Sequence, residues 1–98
     1  MNEKRRNLLG LARKAGKLAS GSAQVEALIK KKKGYLLIIA EDAPGMTKKF
    51  EKWANDIALP VLVSGSKEEL GNLTGNAERA VILVLDRGLA QAIQQAEV

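Results

Sequence analysis

The sequence has no cysteine and no histidine. The first absence excludes disulfides and thiolate chemistry; the second removes the imidazole base that works near neutral pH and the commonest metal ligand. Aromatic residues are scarce too, with one Phe, one Tyr and one Trp, which argues against a protein that stacks a row of unpaired bases. No apolar stretch has the length of a membrane span or the form of a signal core, so a cytoplasmic chain without a membrane partner is expected. Repeats and low-complexity linkers are also missing.

What is present is a chain of 98 residues, 46% hydrophobic, which suits one compact domain over residues 1–98. Lysine and arginine outnumber the acids 16 to 11, giving a net charge of +5, and this balance favours a polyanionic partner. Glu41 and Asp42 are the nearest thing to a catalytic or metal-binding pair. They end a strand, where neighbours point to opposite faces, and no third ligand is close in sequence. No catalytic residue, metal or cofactor is therefore expected.

The stretch from Gly16 to Ala43 organises the chain. After Gly21 and Ser22, the apolar residues Val25, Leu28 and Ile29 recur at helical spacing, so a helix opens near Ser22. A glycine-serine entry leaves the first backbone N–H groups free and lets a phosphate approach, although serine and glycine are also ordinary residues at a helix start. Lys30 to Lys33 close this helix, where they complement its dipole or reach a partner's phosphates. Gly34 breaks it. Tyr35 to Ala40 is then an unbroken apolar run, the mark of a strand covered on both faces.

Elsewhere the periodicity predicts a first helix over about 2–15. Its inward stripe would be Leu8, Leu11, Ala12 and Ala15, and Arg6, Arg13 and Lys17 would make a positive ridge on the far side if the helix continues to Lys17. A helix over about 45–58 buries Met46, Phe50, Trp53, Ala54 and Ile57; Lys48 and Lys49 in its first turn oppose the helix dipole. Val61 to Val63 is a short strand, and Ser66 with Glu69 forms a capping box for a helix ending near Leu73. The segment from Gly71 to Arg79 matches neither a Walker loop nor a dinucleotide fingerprint. Ala80 to Leu85 is a second buried strand, and Asp86 caps a last helix that turns Leu89, Ala90, Ile93 and Ala96 or Val98 inward. Strands alternating with helices predict an α/β fold, a three-layer α/β/α sandwich around a small mixed sheet.

Three ordered motifs, Gly21-Ser22-Ala23-Gln24-Val25, Leu37-Ile38-Ile39-Ala40-Glu41-Asp42-Ala43 and Ser66-Lys67-Glu68-Glu69-Leu70-Gly71 with Gly75 beyond, resemble the ribosomal L-seven-Ae family. The likeness runs through nearly the whole chain and is strongest to the family's bacterial YlxQ-like branch. It implies non-catalytic binding of structured RNA, such as ribosomal or another kink-turn RNA within a ribonucleoprotein. The implied edge comprises the Gly21 turn, the following helix start and the 71–79 loop. On that reading the RNA-binding residues are Lys17, Gly21, Ser22, Gln24, Lys30, Lys33, Lys48, Gly75, Asn76 and Arg79. Gln24 stands where the family contacts a guanine edge. Two polar positions of the family are alanine here, Ala23 and Ala27, and its apolar-Glu-apolar triplet in the distal loop is replaced by Asn76-Ala77-Glu78-Arg79. Base readout needs particular hydrogen-bonding groups whereas backbone affinity needs mainly charge, so RNA binding survives these changes better than kink-turn specificity. The alternative is a protein-interaction module that kept the fold and lost that specificity.

Overall fold

Two unbroken apolar strands fix the architecture. In the computed structural model, which describes residues 1–96, β2 (Leu36–Ile39) and β4 (Val81–Val84) are buried at every position. They lie side by side, antiparallel, at the centre of a four-stranded sheet ordered β1-β4-β2-β3. β1 (Leu18–Ser20) pairs antiparallel with β4 on one edge, and β3 (Val61–Val63) pairs parallel with β2 on the other. The sheet is therefore mixed, and its edge strands are only three residues long.

Alternation of side chains along the central strands feeds two separate cores. Leu36, Ile38, Ile82 and Val84 face α1 (Glu3–Lys14), α4 (Lys67–Leu73) and α5 (Arg87–Gln95), and bury Leu9, Leu70 and Ile93. Leu37, Ile39, Val81 and Leu83 face α2 (Ser22–Lys30) and α3 (Pro44–Asp56), where Val25, Ile29, Phe50 and Ala54 are buried. This is the expected three-layer sandwich.

The first helix is turned relative to its expected stripe. Leu9 and Ala12 are buried and Leu8 is half-buried, but Leu11 is 55% exposed and Ala15 lies on the surface. Both stripes share Leu8 and Ala12, and contacts to α5 decide between them. Asn2 caps α1 by accepting from Arg5 N and donates to Ala96 O at 2.6 Å, while Arg5 Nε donates to Ile93 O at 3.0 Å. Ala90, Ile93 and Ala96 are buried as expected; Val98 lies outside the described residues. Only half of the expected capping box at α4 forms. Ser66 Oγ accepts from Glu69 N at 3.0 Å, but the Glu69 carboxylate reaches Arg6 at 3.1 Å.

The helix ends follow a shared pattern with one irregularity. α1, α2, α3 and α4 each close with paired backbone bonds of the Schellman type, for example Lys33 N to Leu28 O and Lys32 N to Ile29 O after α2. The left-handed residue is Gly16 after α1 and Gly75 after α4, but Lys32 after α2 and Ala58 after α3, with φ of 57° and 54°.

Candidate nucleic-acid interface

β1, β2 and β3 end at the same side of the sheet at which β4 begins, and the loops there form the candidate site. Gly21 leaves β1 with φ 89° and ψ 145°, a backbone region open to glycine and strained for any residue with a Cβ. Its N–H donates to Val81 O, and its carbonyl takes the first helical bond, from Val25 N. Because the capping residue is a glycine, α2 has no side-chain cap. The backbone N–H groups of Ser22, Ala23 and Gln24 therefore have no partner among the described residues, and all three residues are exposed. The N-terminal end of a helix dipole adds partial positive charge there.

The 71–79 loop folds back onto this turn. Asn76 Nδ2 donates to Ser20 Oγ at 3.1 Å and to the carbonyl and hydroxyl of Thr74 at 3.0 and 3.1 Å. Arg79 N donates to Lys67 O, whose own N–H is held by the Asp42 carboxylate at 2.9 Å. From that anchor the Arg79 side chain lies across Gly21, so that a Cβ built on the glycine would sit 3.7 Å from Nε. Gln24 Oε1 accepts weakly from Ser20 N at 3.4 Å, which leaves its amide group toward solvent.

Gly71 makes the return possible. A Cβ at this position would run into the Ala77 carbonyl oxygen and lie 3.1 Å from Glu78 Cα, so the loop presses directly on the backbone of α4. On the outer side the Arg13 guanidinium lies against Gly75, where an added Cβ would be 2.6 Å from Cζ. The sequence does not foretell the Asn76 bond to Ser20, the close backbone approach at Gly71 or the placement of Arg13 beside Gly75. A glycine inside the helical stretch 67–73 was the available signal for Gly71.

The structure thus brings together Gly21, Ser22, Gln24, Gly75, Asn76 and Arg79. Lys48 lies at the same end of the sheet, exposed in the first part of α3, a helix that likewise opens without a side-chain cap. Lys17, Lys30 and Lys33 are not brought to the turn. Lys17 precedes β1, and Leu85 N beyond the far end of β4 donates to its carbonyl, so it lies about 13 Å from Gly21 along the strand. Lys30 and Lys33 are at and beyond the opposite end of α2, about 12 Å or more away along the helix. Lys30 is also engaged, 3.6 Å from Glu26 and 5.5 Å over the Trp53 ring. The expected ridge of Arg6, Arg13 and Lys17 does not form, because α1 stops at Lys14 and Gly16 turns the chain. Glu41 and Asp42 join no cluster able to hold a metal among the described residues.

Fold and site together define a small α/β/α sandwich whose polar edge is a glycine-opened helix start latched to a distal loop. The chain belongs to the ribosomal protein L7Ae/L30e/S12e/Gadd45 family, whose sequence profile matches residues 3–93. It is 34% identical to the RNA-binding protein YlxQ of Bacillus subtilis (strain 168) over 87 residues, 88% of this chain and 87% of that protein. To the RNA-binding protein YlxQ of Enterococcus faecium it is 32% identical over 94 residues, 95% of this chain and 90% of that one. A solved protein of unknown function from Bacillus halodurans superposes with a TM-score of 0.88 at 33% identity, covering 95% of each chain. The 15.5 kD RNA-binding protein of Giardia lamblia shares the fold, with a TM-score of 0.80 at 20% identity over 97% of this chain and 89% of that one.

Proposed function

We propose that this chain binds structured RNA, without catalysis, through the edge formed by the Gly21 turn, the start of α2 and the 71–79 loop. One observation carries the reading: three unpartnered backbone N–H groups at Ser22, Ala23 and Gln24 lie beside Arg79 and Asn76 on a latched surface. Phosphate oxygens fit the N–H groups and the guanidinium, and the Gln24 amide has the donor and acceptor that a guanine edge requires. The relatives named as RNA-binding proteins support the same partner. A kink-turn, in ribosomal or other ribonucleoprotein RNA, presents a sharply bent backbone and exposed guanine edges together, and it is the target we assign to this edge.

The test compares affinities for a kink-turn RNA and for a duplex of matched length at one salt concentration. The native chain prefers the kink-turn, and Arg79→Ala weakens binding to it about tenfold, the loss of one charge-assisted contact. Equal affinities for the two RNAs, unaffected by Arg79→Ala, would remove the edge from the proposal and leave the protein-interaction reading.

A further inference from the structure

The opposite end of the sheet carries a concave site that the proposed RNA edge does not use. A cleft of ≈ 630 Å³ opens between the 32–35 turn, the end of α3 with the 57–60 turn, and one side of α5. Its volume lies in the range of about 300–1,000 Å³ typical of small-ligand sites. Of the three aromatic residues, Phe50 and Trp53 pack edge to face in the α3 layer, whereas Tyr35, 48% exposed, lines this cleft.

Several local preferences are broken here. Lys32 and Ala58, the non-glycine residues with positive φ, both line the cleft. Arg87 occupies the first position of α5, where the helix dipole disfavours a cation, and Asp56 the last position of α3, where it disfavours an anion. Both line the cleft, and neither they nor Lys32 are ion-paired among the described residues. Charges set against their own helix, together with strained turns, mark places where function overrides local stability.

We infer that this cleft holds one unpaired nucleotide of an RNA, at the pole opposite the Gly21 edge. Tyr35 offers a face for a single base, Lys32 and Arg87 attract its phosphate, and Asp56 with the Gln91 amide reads its edge. A carboxylate accepts from an exocyclic amino group and repels a carbonyl, so cytidine fits better than uridine. The inference rests on RNA being the partner, and it gives the molecule two contacts on one RNA.

The experiment follows backbone amide resonances of the full chain during titration with 5′-CMP, 5′-UMP and, separately, a kink-turn RNA. Saturable shifts at Gly34, Tyr35, Ala58 and Gln91 are expected with CMP, at least threefold tighter than with UMP. Tyr35→Ala weakens CMP binding at least fivefold, Tyr35→Phe retains it, and Asp56→Ala removes the preference over UMP; unchanged melting of each variant shows that folding is intact. No saturable shift in the cleft, or binding indifferent to Tyr35→Ala, overturns the inference. The kink-turn titration separates the two sites: shifts at Ser22, Gln24 and Asn76 without CMP binding in the cleft sink this inference alone. CMP binding without shifts at those three residues sinks the proposed RNA edge alone.

Discussion

At the scale of single residues, Gly21 and Gln24 divide the work of the turn. With φ 89° and ψ 145°, Gly21 is required by the backbone before any ligand arrives. Gly21→Ala therefore destabilises the fold by about 1–3 kcal/mol, read as a lowered melting temperature, although the added Cβ meets no clash. Gln24 is the residue whose variation tests recognition at the proposed edge. The one side-chain bond it makes among the described residues is a 3.4 Å contact, so Gln24→Ala is expected to leave stability nearly unchanged and to cost about 1–3 kcal/mol in kink-turn preference over duplex. Ala23→Asn with Ala27→Lys adds polar groups on the same helix turn, since both alanines are exposed and four apart. A rise in kink-turn affinity is expected, and no rise would show that the missing side chains are not what limits it. Ala58 makes a separate case: exposed and left-handed at φ 54°, it is a place where glycine is the better residue. Ala58→Gly should stabilise by about 0.5–1 kcal/mol, a few degrees in thermal melting.

At the scale of elements, α4 and its loop behave as one piece, joined where Gly71 meets the 77–78 backbone. Gly71→Ala forces that loop outward. The expected outcome is a loss of about 1–3 kcal/mol in stability, with faster amide exchange at Asn76 and Arg79, whose bonds to Gly71 and Lys67 would loosen. Unchanged exchange there would mean the loop does not depend on α4. Most elements were legible in the sequence, and for a physical reason: β2 and β4 are covered on both faces and so are apolar throughout, and Asp86 and Ser66 cap helices locally. The stripe of α1 was not, because Leu8 and Ala12 suit either rotation and tertiary contacts, among them those from Asn2 and Arg5 to α5 and from Arg6 to Glu69, select one. The sequence placed Gly21, Gln24 and Arg79 at one edge, as the structure does, whereas Lys17, Lys30 and Lys33 lie away from it. Proximity in sequence to the turn concealed that a strand and a helix carry these lysines to the other end of the sheet.

At the scale of the whole molecule, charge is spread over a body of 29 × 26 × 25 Å, and only Arg6 and Lys30 of the basic side chains are ion-paired among the described residues. Affinity for a short kink-turn should fall steeply with salt, with a log–log slope of roughly −3 to −5 for several phosphate contacts. Arg79→Ala should flatten that slope by about one unit, while Lys33→Ala leaves it unchanged because its lysine lies beyond the far end of α2. The reverse pattern would move the RNA to the lysine end. The sheet order carries one more consequence, for assembly. Among the described residues β4 is the last strand in chain order, yet it lies between β1 and β2 and contributes to both cores. Until Val81–Val84 has left the ribosome, β1 has no neighbour in the sheet, and β2 has only the three-residue β3. A nascent chain without β4 therefore leaves one side of β2 unpaired, and the sheet closes only when Val81–Val84 docks between β1 and β2.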